Sequence, residues 1–222
     1  MSQSALKESA SLLQAIAAAL ITSTPNANAG GPALRQACGW LSANAVTAIR
    51  NWQIGTPLLT CFQAATGAGA TMDSFALVRA VITGTVTVSP LAGLVAQAAI
   101  CMSLAEEVRA ISQYAFTSRD DVESTIGAMN AAFDPAIDFA AVADDATAYR
   151  SLVALRAAMA RDLSVRGWPL PSMTNFAFSK GRSMLALANR LYGDASRVDE
   201  LTLENKVVHP LFGPSSGRAL SS

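Results

Sequence analysis

The chain has 222 residues, with 16 Lys and Arg against 16 Asp and Glu, and is 51% hydrophobic but only 14% charged, where soluble domains average about 25% charged residues. Balanced charge and a pI near 6.6 exclude the clustered cations with which nucleic-acid binders displace counterions. The apolar content excludes a disordered chain, and the length suffices for a sizeable core in one domain or two.

Most of the apolar excess is alanine, and only 6% of residues are aromatic. Alanine buries little area but lets helices approach closely and has the best helix propensity. The composition therefore predicts close-packed helices, within one chain or between copies.

The first segment imitates an export signal, with Lys7, an apolar run over 12–21 and Ala27-Asn28-Ala29. Glu8, however, stands in what would be the positive region. Leu6, Leu13, Ile16 and Leu20 fall on one side of a helix, so the segment is read as an amphipathic helix. Punctuation by Pro, Gly and Asn then divides the chain into helices over 4–23, 32–53, 57–66, 73–88, 90–117, 119–133 and 144–166. Loops are expected at 25–31 and 67–69.

The uncharged run 80–105 is long enough to span a bilayer. Thr83, Gly84, Thr85, Thr87, Ser89 and Pro90 dilute it, and no polybasic flank marks an inside loop. It is read as the end of one buried helix, capped at its start by Asp73 or Ser74, and the beginning of another at Pro90. Ser118 with Asp121 forms a capping-box pattern, followed by an apolar stripe of Val122, Ile126, Met129 and Phe133. The segment 144–166 is the clearest amphipathic helix. Tyr149, Leu152, Val153, Leu155, Met159 and Leu163 are interspersed with Arg150, Arg156, Arg161, Asp162 and Arg166, whose arginines are read as a solvated face, with a partner-binding strip as the alternative.

Cys38, Cys61 and Cys101 are an odd count at wide spacing beside a single histidine, His209. They support neither a disulfide framework nor a zinc site and read as buried thiols. No Gly-x-Ser-x-Gly, Walker loop, dinucleotide fingerprint or His-Glu-x-x-His occurs. Asp120-Asp121 and Asp144-Asp145 stand at helix starts, where the dipole accounts for them. The chain is therefore read as a non-enzyme with no cofactor, no metal and no catalytic residue.

At Gly167-Trp168-Pro169-Leu170-Pro171 the helical pattern stops, because prolines a residue apart favour an extended link. A short strand over 174–179 would put Phe176 and Phe178 on one face. A helix from about Gly181 to Tyr192 follows, then a break at Gly193-Asp194 and a short helix over 196–204 capped by Ser196. The end, 205–222, reads as a loop with room for one strand.

Several residues in this quarter have evident backbone roles. Gly193 permits the left-handed residue that ends a helix, and Asp194 can accept from the next turn's amides. Asn205 is expected to end the second helix in the left-handed region. His209-Pro210 is expected to fix an extended segment that presents Phe212 to the core.

The run Ala188-Asn189-Arg190-Leu191-Tyr192-Gly193-Asp194-Ala195-Ser196-Arg197-Val198-Asp199-Glu200-Leu201, then Asn205 and His209-Pro210-Leu211-Phe212, resembles the C-terminal end of the DNA circulation (circularisation) proteins of Mu-like phages with contractile tails. The same stretch is similar to LysM-like modules of baseplate proteins. The β-rich N-terminal region usual in that family has no counterpart in this sequence, which opens on a helical pattern. Ser215-Ser216 stand as added spacing before Gly217-Arg218-Ala219-Leu220, with no hydrophobic strand expected after them.

The resemblance implies a mainly α chain: an Ala-rich helical assembly domain over 1–166 and a small α+β LysM-like module over 167–222. It implies a structural virion protein of the tail or baseplate, assembled in the host cytoplasm. Its partners would be tube, hub or wedge proteins and copies of itself, without nucleic acid or membrane insertion. Tyr192, Gly193, Asp194, Arg197, Glu200, Leu201, Asn205, His209, Pro210 and Phe212 are its fold-determining or interaction residues. The alternatives are a peptidoglycan-binding LysM-type module, with Tyr192, Phe176, Phe178 and Phe212 as its aromatics, or a membrane protein using 80–105.

Overall fold

A computed structural model describes residues 2–25 and 28–221. The fold is mainly α, with a small two-stranded antiparallel sheet near the C-terminus. The loop expected at 25–31 falls partly on Asn26 and Ala27, which lie outside the described residues, as does Ala27 of the export-like tripeptide.

Seven helices come first: α1 (Gln3–Ser23), α2 (Gly31–Arg50), α3 (Gly55–Gly67), α4 (Met72–Gly84), α5 (Pro90–Gln113), α6 (Arg119–Val142) and α7 (Ala146–Gly167). Strand β1 (Met173–Ala177), helices α8 (Met184–Tyr192) and α9 (Val198–Glu204), with a 3₁₀ turn at Ala195–Arg197 between them, and strand β2 (Ser216–Leu220) complete the chain. Two compact units result, one of Met1–Tyr114 with Met129–Met159, the other of Ala115–Ala128 with Ala160–Ser222. The division thus runs through α6 and α7, where the sequence suggested a cut after 166.

In the first unit α1 is the central element. Leu6, Leu13, Ile16 and Leu20, the stripe expected to face inward, are buried against α2, α3, α4 and α5. Leu34, Cys38 and Leu41 of α2, Cys61 and Phe62 of α3, and Phe75 and Val78 of α4 complete this core. Phe62 and Phe75 stack with centroids 6.4 Å apart. Buried alanines at positions 10, 17, 45, 65 and 99 stand in the same core, where a methyl group admits close helix approach.

Among the described residues two helices, α1 and α5, are long and apolar enough to cross a membrane by length and composition. The uncharged run 80–105 is not one helix, because α4 stops at Gly84 and α5 starts at Pro90. Glu8 explains the break. Its carboxylate accepts from the amides of Val88 and Ser89, while the Ser89 hydroxyl accepts from Ala92 and caps α5, with Pro90 in the first turn.

Several boundaries depart from expectation for local reasons. The cap of α4 is Thr71, in a reciprocal pair with Ser74, instead of Asp73 or Ser74. Helix α6 runs through Pro135 to Val142 instead of stopping at Phe133. An interior proline costs about 3 kcal/mol. Phe133, Ala136, Ile137 and Ala140 around it are all buried, and burying one large apolar side chain contributes about 1.5–3 kcal/mol. Burial therefore offsets the proline.

Four helices end in the same way. After α2, α3, α6 and α9 the chain makes paired reverse bonds to the last turn, with a left-handed residue between them: Trp52, Gly69, Asp144 and Lys206. Only one of the four is glycine.

Candidate functional site

The second unit contains the residues on which the sequence argument rested. Strands β1 and β2 pair in the register Met173 to Leu220 through Ala177 to Ser216. Phe176, Met184, Leu187, Ala188, Leu201 and Ala219 form its core, with Phe178, Leu191 and Tyr192 packed against it. Phe176 and Phe178 lie together, ring centroids 5.7 Å apart.

A two-stranded sheet has two open edges, each a row of unpaired amides and carbonyls. Side chains from the two helices cover the outer edge of β2. Asn205, at the end of α9, donates to the carbonyls of Leu201 at 2.9 Å and Arg218 at 2.8 Å, and its Oδ1 accepts from the Arg218 amide at 2.9 Å. The Tyr192 hydroxyl, at the end of α8, accepts from the Leu220 amide at 3.3 Å. These two side chains replace a third strand. Gly217 makes room for the arrangement, since a Cβ there would overlap Asn205 and meet the Phe176 ring.

The rest of the motif holds Tyr192 and Asn205 in place. Gly193, at φ 69°, closes α8 in the left-handed region. The Asp194 carboxylate accepts from the Ser196 hydroxyl and amide, both at 2.8 Å, and these bonds hold its pKa below the usual carboxylate value. Arg197 lies over the Tyr192 ring, 3.9 Å from its centroid, and forms a two-pronged pair with Glu200 at 3.1 and 2.8 Å. Burial pushes the Tyr192 phenol up. Leu201 is fully buried.

Four details differ from expectation. Lys206, not Asn205, is the left-handed residue after α9, because Asn205 uses its carboxamide on β2. Asp194 rather than Ser196 caps the turn between the helices. Helix α8 starts at Met184, capped by Ser183, instead of near Gly181. Ser216 is the first residue of β2, not spacing before it.

The largest difference concerns the loop 206–215. Phe212, expected in the core, is 79% exposed, and Val208 and Leu211 are exposed with it. A tight turn accounts for this: the Phe212 amide donates to the His209 carbonyl, and the Leu211 amide to His209 Nδ1 at 3.3 Å. The imidazole sits 5.4 Å from the Phe212 ring. Pro210 turns its carbonyl to the Met184 amide at 2.7 Å, and the Gly213 amide donates to the Arg182 carbonyl at 2.8 Å. The loop is thus fastened to the start of α8 by its backbone, with Val207 packed against the core and Val208, Leu211 and Phe212 facing outward.

An apolar surface that the sequence did not reveal lies on the first unit. A groove of about 600 Å³ between α1 and α4 is lined by Ala15, Ala18, Ala19, Thr22, Ser23, Leu77, Ala80 and Val81. Leu77 and Val81 on its wall are exposed, as are Val86 and Val88 further along the chain. The signal was present as apolar residues on both faces of the segment 75–88, more than one core face needs.

The buried charged groups of this unit are paired, whereas the hydroxyls of Ser9, Ser23 and Thr24 are buried without a hydrogen-bond partner. Arg79 of α4 forms an ion pair with Glu107 of α5, and Glu106 accepts from Thr66 of α3 at 2.6 Å. Cys38 and Cys61 are adjacent and buried, and donation to Cys38 together with burial pushes the Cys61 thiol up. Among the described residues no group of three His, Cys, Asp or Glu side chains is placed to hold a metal ion. No protein-family model and no curated protein matches this chain.

Proposed function

We propose that this chain is a non-enzymatic structural component of a contractile phage tail or tail-like particle, a baseplate subunit near the tube or hub that acts through contacts with other subunits. The observation that carries the reading is the way the motif is spent. Its polar residues turn inward on their own strand, while Val208, Leu211 and Phe212 stand exposed on a backbone-fastened loop. Exposed apolar side chains on a rigid loop suit a protein interface, whose buried core is depleted of charge and enriched in aromatics.

The strand–helix–helix–strand order over 173–220, within the second unit, supports the likeness to LysM-like baseplate modules. The α1–α4 groove, uncharged and built mostly from small residues, suits a helix of a neighbouring subunit. Glycan binding by the second unit is the weaker reading. Of its four candidate aromatics Phe176 is buried, and Phe178 and Tyr192 pack against the core, leaving Phe212 alone as a stacking surface.

Co-expression with the products of the adjacent genes, followed by affinity capture and light scattering, tests the proposal. The chain is expected in a complex with tail or baseplate proteins, and a Leu211→Ser, Phe212→Ser variant is expected to fold and drop out of it. A stable monomer that joins no tail protein refutes the reading. Retention on purified peptidoglycan, lost in the same variant, would replace it with the glycan-binding alternative.

A further inference from the structure

The most polar of the larger clefts in the first unit lies at the end of α2 and the start of α3, about 620 Å³ in volume, in the range of small-ligand sites. Trp40 and Trp52 line it, 51% and 74% exposed. Asn44, Asn51, Gln53 and Thr56 supply polar atoms along it, and none of its lining residues is charged.

The backbone at the end of α2 is that of three other helix ends, but the residue placed there is unusual. Trp52 is the left-handed residue after α2, at φ 57°, between the reverse bonds from Trp52 to Ile49 at 3.1 Å and from Gln53 to Ala48 at 2.8 Å. Helix ends of this kind favour glycine or asparagine, because a bulky residue there strains the backbone. Here Asn51 stands one place too early, and an indole occupies the strained position with most of its surface in water. Strained positions concentrate at sites of function. Neither helix capping nor core packing asks for tryptophan at this point.

We propose that this cleft binds a neutral saccharide. Indole faces stack on the C–H faces of pyranose rings, and carboxamides offer donors and acceptors side by side to hydroxyl groups. The Asn44 carboxamide is oriented by donation to the Trp40 carbonyl at 2.9 Å. An anionic ligand would find no cation in the lining, and a hydrophobic helix would leave the three amide side chains unsatisfied. The site lies in the first unit, apart from the motif of the second, and it stands or falls independently of the tail assignment.

Titration calorimetry of the full chain with N-acetylglucosamine tetramer, maltohexaose and cellohexaose, with a sulfated heparin hexasaccharide as the charged arm, tests it. At least one neutral oligosaccharide is expected to bind, and Trp40→Ala and Trp52→Ala each to weaken that binding at least about 10-fold. Trp52→Gly is the decisive variant, because it removes the ring and relieves the backbone together. It is expected to melt at the same temperature as the parent chain or higher, and to lose binding. Silence of all three neutral probes up to about 10 mM, where even a millimolar complex is largely formed, overturns the proposal. So does undiminished binding by Trp52→Gly, or tighter binding of the sulfated probe. Self-association that Trp52→Gly abolishes, without any saccharide response, would mark the cleft as a protein interface and equally overturn it.

Discussion

Replacing Asn205 with alanine removes the cover from the outer edge of β2 and leaves the core residues of the second unit untouched. Two hydrogen bonds to the strand are lost, to the amide and the carbonyl of Arg218, and one to the Leu201 carbonyl. Each is worth about 0.5–1.5 kcal/mol net. The two strand bonds are solvent-exposed, so water can replace part of what is lost. The expected cost is about 2 kcal/mol, concentrated in the opening of β2 and close to a 30-fold rise in its open population.

Hydrogen exchange followed residue by residue is the right assay, because the chain has two units and a single melting curve would blend them. Protection of the β2 amides should fall in Asn205→Ala while that of α1 and α2 stays unchanged. Gly217→Ala should be costly alone, by about 1–3 kcal/mol, since its Cβ overlaps the Asn205 carboxamide. It should cost clearly less in the Asn205→Ala background, and a double-mutant cycle reads that coupling. Unchanged protection of β2 in Asn205→Ala, or additivity of the two substitutions, refutes the edge-cover account.

Three further outcomes follow from particular groups. Glu107→Ala leaves Arg79 buried without its partner and should cost about 3–5 kcal/mol by chemical denaturation, whereas Arg79→Met with Glu107→Leu should be nearly neutral. Lys206→Gly relieves the left-handed residue after α9 and should stabilise the second unit by about 1 kcal/mol, seen as slower exchange in α9. The Glu8 carboxyl is held below its usual pKa by the Val88 amide and by the hydroxyl and amide of Ser89. A depressed folded pKa means that its contribution is complete above the unfolded carboxyl pKa and is lost as pH falls through the folded one. Exchange of the Val88 and Ser89 amides should therefore quicken in acid, and Glu8→Gln should remove that dependence.

The helical half was readable because two local signals agreed. Apolar residues at helical spacing marked the buried face of α1 and, in α7, Leu152, Met159 and Leu163, although Tyr149 of the same expected face is exposed, and Pro and Gly marked most ends. Failures came where tertiary burial outweighed a local preference. Pro135 would stop a helix in water, but the four buried side chains around it carry α6 onward. Val88 looked like part of α4, yet a carboxylate far away in sequence, Glu8, holds that turn open. No window of neighbouring residues contains either fact.

The candidate site was legible in its residues but less so in their tasks. Gly193 and Asp194 act through their own local backbone, and the sequence predicted both uses. Asn205 and Phe212 depend on where β2 lies, so the left-handed backbone expected for the first and the buried ring expected for the second were the natural local answers. Trp52 was hidden for the opposite reason. The helix expected over 32–53 ran through it, whereas α2 ends at Arg50 and leaves Trp52 in the left-handed region.

The uncharged composition now has a more exact location. A core of alanine-rich helices absorbs part of it, in α1 and at the centres of α2, α3 and α5. The remainder lies outside: along the α1–α4 groove, over Val86 and Val88, and on Val208, Leu211 and Phe212. Monomeric proteins seldom expose large contiguous apolar areas, and such areas mark interaction sites. A charged side chain placed in the groove should therefore leave the fold intact and act on association. Ala18→Glu makes the distinction. If the groove accepts a neighbour's helix, the variant keeps the parent's melting temperature within a few degrees, because Ala18 is exposed on α1, and loses complex formation. If the groove is only idle surface, the complex survives the new charge.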